Sequence, residues 1–365
     1  MPVGPVDDKG TALYYEDSGV PGASTTYATI FLVHGTMFHS GIFRPMVPYA
    51  AVHNLRLVLV NLRDYPGSSP YSPTERELLA GPGREAQAAA IQNRGLELAA
   101  FITWFIEQEQ IPPTSRSAAE AADTTGGFAL LGWSSANCQT IPVIAHADKM
   151  PEKTRKLFNA YFRAYFFHDS SLTGIGEAAP QDMYGIFRDA RLTYEEKVAG
   201  FPAWVSSYFT RVDLEPETPA FLSTLTSRKA VHEDTDDARW TPSVLRMSDD
   251  VFAAVADPSV MLRSQVLIQN VDVTVYGENL RRALSRCYID GDNGREEIWP
   301  SLKLRALWCD MSVGEELLAA SKIMGILDGI SPAGRNLEFV RVENANHFVH
   351  WDQPETFVRL LANEI

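Results

Sequence analysis

Cysteine is scarce in this chain: its 365 residues hold only three, Cys138, Cys287 and Cys309. They lie far apart with no C-x-x-C spacing, which argues against a disulfide framework and against a cysteine-based zinc site. Basic residues are also short, 32 Lys and Arg against 46 Asp and Glu, for a formal net charge of -14 at pH 7. Partners that need a cationic footprint, nucleic acids and anionic membrane surfaces, are therefore not expected. No apolar run approaches the about 18 residues of a membrane-spanning helix. The first residues, Met-Pro-Val-Gly-Pro-Val-Asp-Asp, lack a cationic segment followed by an apolar one, and the last four, Ala-Asn-Glu-Ile, are not a peroxisomal address. A cytoplasmic location is the expectation that follows. Phosphate-cradling glycine loops, dinucleotide fingerprints and metal-ligand clusters are missing too, so neither a cofactor nor a metal is expected.

What the chain does have is apolar content, 45% of its residues, enough for a large core at a length beyond the usual single domain. Residues 11–16 alternate like an edge strand, whereas 28–33 and 56–62 are largely apolar, the pattern of parallel strands covered on both faces. Arg84 to Glu109 is rich in Ala, Glu, Gln and Leu. Leu98, Phe101, Ile102 and Phe105 stand near helical spacing in it, and the pattern stops at Ile111-Pro112-Pro113. Residues 114–127 form a polar loop, 137–150 a helix, and Phe158 to Phe167 an aromatic segment ending at His168-Asp169. From 172 to about 300 the alternation of strand and helix is lost in favour of aromatics, prolines and charge.

Residues 128–137, Phe-Ala-Leu-Leu-Gly-Trp-Ser-Ser-Ala-Asn, carry the strongest functional signal. An apolar strand runs into Gly132-Trp133-Ser134-Ser135-Ala136, close to the G-x-S-x-G turn that exposes a nucleophilic serine between a strand and a helix. Small residues are needed where strand and helix crowd together, and Gly132 and Ala136 meet that need. Three more segments fit around it: Thr29 to Val33 closing in His34-Gly35-Thr36, Asp64-Tyr65-Pro66-Gly67-Ser68-Ser69, and Leu337 to Val342 leading into Asn346-His347-Phe348.

Together these segments resemble the α/β-hydrolases, which place His-Gly after the third strand, D-x-x-G-x-S after the fourth, the elbow after the fifth and a histidine after the last. The resemblance covers residues 11–71, 128–169 and 302–365. It implies a mostly parallel central sheet flanked by helices, with a core of 1–171 and 301–365 interrupted by a mainly helical cap at 172–300. It also implies Ser134 as nucleophile, His347 as its base, and an oxyanion hole from the backbone N–H groups of Thr36 and Ser135, whose side chains should matter less. His34 would shape that loop. A serine hydroxyl needs an imidazole to take its proton, and the imidazole needs a carboxylate to fix its tautomer.

The carboxylate is where the chain departs from the common pattern. After Leu304 to Trp308 the usual acid position holds Ser312, and Asp310 stands out of phase. Asp169, after the strand flanking the elbow strand, resembles the arrangement of some fungal lactonases and is preferred, with Asp310 as the alternative. His350 competes with His347, but His347-Phe348 followed by Pro354-Glu355 matches the family's spacing. Met37 and Phe38, beside the oxyanion residue, and Trp204 among the cap aromatics are the expected pocket residues. The implied substrate is a bulky apolar small molecule carrying an ester, lactone or thioester. A lyase or C–C bond-cleaving enzyme using the same triad, and a small-molecule receptor with this fold, stay open.

Overall fold

A computed structural model describes residues 2–22, 24–116, 124–291, 294–330 and 334–365. Eight strands form one sheet: β1 (Val3–Pro5), β2 (Ala12–Asp17), β3 (Ala28–Val33), β4 (Leu55–Val60), β5 (Phe128–Trp133), β6 (Phe162–His168), β7 (Lys303–Cys309) and β8 (Leu337–Val342). Their spatial order is β1-β2-β4-β3-β5-β6-β7-β8. The first two strands run antiparallel to their neighbours and all later pairs are parallel. β3, β4 and β5 are buried at every position, which is why they read as unbroken apolar runs rather than alternating ones.

The two-residue period of a strand divides these runs between two apolar layers. Phe31, Val33, Val58, Val60, Phe128 and Leu130 pack on one face against α1 (Arg84–Glu109), α2 (Asn137–Ala145) and α3 (Glu152–Tyr161). Ile30, Leu32, Leu57, Leu59, Ala129 and Leu131 pack on the other with Phe43, Met46 and residues of the C-terminal helix Pro354–Glu364. The aromatic segment at 158–167 is divided, because Phe158 to Tyr161 finish α3 and only Phe162 begins the strand. The helix expected over 137–150 ends at Ala145, and a 3-10 turn follows at Ala147–Lys149. Part of the polar loop expected at 114–127 lies outside the described residues; Ser115–Arg116 pairs with Thr124–Thr125.

Between β6 and β7 the described residues add no strand to the large sheet. They form α4 (Tyr194–Val205), α5 (Pro219–Thr226), several single turns, and α6 (Val273–Leu284), followed by a short hairpin of Tyr288–Gly291 with Gly294–Glu297. This is the cap-like region. Its last helix returns to the core: Leu280, Ala283 and Leu284 of α6 join the layer that holds α1 and α2. After β7 come α7 (Gly314–Ile330), β8 and α8 (Pro354–Glu364). No described helix is long and apolar enough to cross a membrane.

Candidate active site

Parallel strands deliver their carboxyl ends, and the loops after them, to one edge of the sheet, where ligands of open α/β sheets bind. Ser134 follows β5, Asp169 follows β6, Asp310 follows β7 and His347 follows β8, so all four candidates meet there. Trp133 is in register with His168, and His168 with Leu307, which sets the three strand tips side by side.

Ser134 has φ +58°, a left-handed backbone that a non-glycine residue adopts only where its surroundings hold it. Those surroundings are tight. A Cβ added to Gly132 would lie 2.3 Å from Thr140 Oγ1, and one added to Gly35 would lie 2.9 Å from the Cβ of Ser134. Only glycine admits the strand, helix and neighbouring loop at that spacing. Asn137 ties the turn together by donating Nδ2 to the carbonyls of Gly132 and Ser134 at 2.8 and 2.9 Å. Ser134 to Ala136 is a 3-10 turn continuing into α2, so the N–H of Ser135 is among the first of the helical run and has no intrahelical acceptor.

His347 Nδ1 lies 2.9 Å from Asp169 Oδ2, with both side chains buried. A carboxylate only accepts, so Nδ1 is the donor in this pair. The other Asp169 oxygen accepts the Cys309 N–H at 2.9 Å, and the Asp169 N–H donates to Leu307 O at 2.9 Å. Burial pushes this carboxyl up, but the hydrogen bond and charge of His347 outweigh it and hold Asp169 below the ordinary carboxylate value. Trp133 donates Nε1 to His347 O at 3.1 Å and its ring lies 5.0 Å from the imidazole, tying the last loop to the elbow. Asn346 fixes the loop from the other side by donating to Ser206 O and Ser243 Oγ at 2.6 and 2.8 Å.

Asp310 and His350 are placed differently. Asp310 is fully buried, but its Oδ2 is held by Arg341 at 2.9 Å and Arg211 at 3.3 Å, and its Oδ1 by the Ala345 N–H at 3.3 Å. His350 is packed between Trp133 and Phe43, ring centroids 4.4 and 4.9 Å away, and neither of its nitrogens has a hydrogen-bond partner. Ser312, at the usual acid position, is fully buried.

Opposite the elbow, His34 donates Nδ1–H to Gly35 O at 2.9 Å and accepts the Leu62 N–H on Nε2 at 3.1 Å. Burial pulls its imidazole down to about 3, so it is neutral. The next turn brings Thr36 Oγ1 to 2.7 Å from Ser135 Oγ, joining the hydroxyls of the two expected oxyanion residues. Gln265, from a π turn at Met261–Gln265, donates Nε2 to Thr36 Oγ1 at 3.0 Å and to Ser135 Oγ at 3.4 Å. Gln269 reaches Thr36 Oγ1 at 3.5 Å.

No protein-family model matches the sequence, and no curated protein does. Solved structures match along nearly its whole length. Esterase EaEST from Exiguobacterium antarcticum is 13% identical with a TM-score of 0.51, covering 99% of this chain and 98% of its own. A structure from work on carboxylesterases of the thaumarchaeon Nitrososphaera gargenis is 12% identical with a TM-score of 0.51, covering 99% and 96%. Est816, described as an N-acyl homoserine lactone degrading enzyme, is 13% identical with a TM-score of 0.50, covering all of both chains. The chain has the α/β-hydrolase fold.

Within that fold, two of the three expected pocket residues are core. Met37 and Phe38 are buried to 0% and 1% exposure. Met37 has φ +71° and donates its N–H to Tyr65 Oη at 3.0 Å, which turns the chain inward. Phe38 then bridges to Ala256 of the cap-like region and packs on Phe348 and Trp133, ring centroids 5.0 and 6.1 Å away. Trp204 does line a cavity, described below. The side chains of Thr36 and Ser135, expected to matter less than their N–H groups, form a hydroxyl pair with Gln265 seated on it. Gln265, Gln269 and Tyr65 carry no local sequence signal, since each acts on a residue distant in the chain. Among the described residues one trio, His168, Asp169 and Cys309, offers metal-ligand atoms within 4.8 Å of one another. Both Asp169 oxygens are already engaged, by His347 Nδ1 and the Cys309 N–H.

Proposed function

We propose that this chain is a serine hydrolase that cleaves a small-molecule carboxylic ester, lactone or acyl thioester through an acyl-enzyme. The observation that carries the reading is the Asp169–His347 hydrogen bond, 2.9 Å long and buried, tied through Trp133 to a serine on a left-handed turn. With Nδ1–H committed to Asp169, the Nε2 lone pair of His347 takes the proton of Ser134 as its oxygen attacks the carbonyl carbon, and returns it to the leaving alcohol or thiol. The N–H groups of Ser135 and Thr36 receive the developing oxyanion. Water, deprotonated by the same nitrogen, then releases the acid. The esterase, carboxylesterase and lactone-degrading neighbours belong to the same reaction class. Gln265 and Gln269 beside Thr36 favour a substrate with a hydrogen-bonding group close to the scissile carbonyl.

A fluorophosphonate probe should label the wild-type protein on Ser134, and Ser134→Ala should take no label. In a screen of aryl esters, lactones and acyl thioesters of graded size, the Ala variant should lose turnover to a residual of about 10⁻³ or less while folding normally. A folded Ser134→Ala protein keeping more than about a tenth of the activity would exclude the acyl-enzyme.

A further inference from the structure

A cavity of about 420 Å³ lies between the cap-like region and the segment that follows β7. Its apolar wall includes Met183, Trp204, Phe209 and Leu225; its polar wall includes Arg228 and His232. Arg228 donates Nε to Thr210 O at 2.7 Å and Nη1 to Ser312 O at 2.8 Å, both neutral acceptors. Its Nη2 is buried and has no hydrogen-bond partner, and His232 Nδ1 is in the same condition. Among the described residues Arg228 is in no ion pair. Asp310 and Asp169 act on it only through space, their carboxylates being held by Arg341 and His347. Burial pulls the guanidinium down to about 10, which leaves it cationic at neutral pH.

A largely buried cation is normally paired, because taking it out of water costs several kcal/mol, and Arg228 has only two carbonyls and the face of Phe209, 5.5 Å from its guanidinium carbon, to offset that. Here an anionic partner has room, in a cavity of ordinary ligand size whose lining is also aromatic and aliphatic. Lys229 and Glu233 also border it, and their opposite signs leave a single positive charge, which suits a monoanion. We propose that this cavity binds an amphipathic monocarboxylate, its carboxylate paired with the Arg228 guanidinium and its apolar part lying against Trp204, Phe209 and Leu225. The proposal does not depend on Ser134 being a nucleophile. The carboxylate comes either from a substrate of the Ser134 site or from an unrelated acid, and both present the same chemistry to Arg228.

Calorimetric titration of the full chain with octanoate tests it. Octanoate should bind saturably at one site, with octan-1-ol and octanamide weaker by about tenfold or more, the usual order for loss of a charge-assisted hydrogen bond. Arg228→Gln should lose octanoate affinity by a similar factor with an unchanged thermal melt, and Arg228→Lys should lose less. If Arg228→Gln fails to fold, having lost its hold on Thr210 and Ser312, then Leu225→Trp, which fills the cavity from another lining residue, should abolish binding. Repeating the titration on protein whose Ser134 carries a fluorophosphonate separates the sources. Loss of binding assigns the carboxylate to the Ser134 substrate and retention assigns it to an independent acid, and either result supports the cavity. Failure of the probe to label would count against the hydrolase reading alone. Equal binding of octanoate and octan-1-ol, no saturable octanoate binding up to about 10 mM, or full affinity in folded Arg228→Gln would each overturn the proposal.

Discussion

Asp169 takes φ +42°, a backbone that costs a non-glycine residue of order 1 kcal/mol and is kept only where neighbours over-determine it. Those neighbours are the Leu307 carbonyl, the Cys309 N–H and the His347 imidazole, and their combined effect is to aim one carboxylate oxygen at one ring nitrogen. Asp169→Asn keeps the shape but presents an amide where an acceptor is needed, so the imidazole is pushed toward the wrong tautomer. The expected result is a fall in kcat of about 10³ to 10⁴ with the fold intact. Asp310→Asn should do the reverse, holding kcat within about threefold while lowering stability by about 2 kcal/mol, because Arg341 and Arg211 lose the charge they flank. Urea melts and steady-state kinetics on both variants check this. The opposite ranking would return the acid to the tip of β7.

At the scale of elements, two loops and the cap-like region form one fastened unit. The cap-like region pairs with the segment after β3 through Phe38 and Ala256, and the Asp257 N–H donates to Met37 O at 2.8 Å. It reaches the β7 loop through the Phe209 N–H and Met311 O at 2.9 Å. Gln265 is the polar member of this fastening, and its π turn points it at the hydroxyls of Thr36 and Ser135. Gln265→Leu is nearly isosteric and removes only those bonds. It should lower kcat by about tenfold while leaving fluorophosphonate labelling complete at long times; unchanged kinetics would mean that the hydroxyl pair holds the loop unaided. The strands and the elbow were legible in the sequence because they are local: an apolar run such as Ala28–Val33 or Phe128–Trp133 states its own burial, and Gly132 its own crowding. The pairing of Asp169 with His347 agrees with a phase argument, since Ser312 stands at the usual acid position. The inward direction of Met37 and Phe38 could not be read locally, because it is set by Tyr65 and Ala256, far away in the chain. Gln265 and Arg228 were missed because nothing near them in sequence distinguishes a buried polar side chain from a solvated one.

For the whole molecule, stability should form a dome in pH whose limbs have identifiable owners. Glu316, in the first turn of α7, is buried with Oε2 unpartnered. Burial, with Glu315 and Asp169 adding to it, holds its carboxyl well above the ordinary value of 4.5. The folded state therefore keeps a proton that the unfolded chain releases, and stability falls as pH rises above about 4.5. Glu316→Gln should raise Tm at pH 8 by about 2–4 °C, and the gain should close near pH 4. On the acid side the owners are histidines. Burial lowers His34 to about 3 and His168 to about 4, and takes His350 well below the ordinary 6.5. From about 6.5 downward the unfolded chain takes up protons that these folded imidazoles refuse, so stability falls as pH falls, each contributing up to about 1.4 kcal/mol per pH unit. His350 gives the cleanest test, because both its nitrogens lack partners and its ring is enclosed by Trp133, Phe43 and Phe348. His350→Phe removes the proton site and keeps an aromatic ring in an aromatic enclosure. Unfolding free energies from urea melts between pH 6 and pH 5 should then fall less steeply than in the wild type, by about 1.4 kcal/mol per pH unit. An unchanged slope would mean that His350 is protonated or solvated in the folded protein.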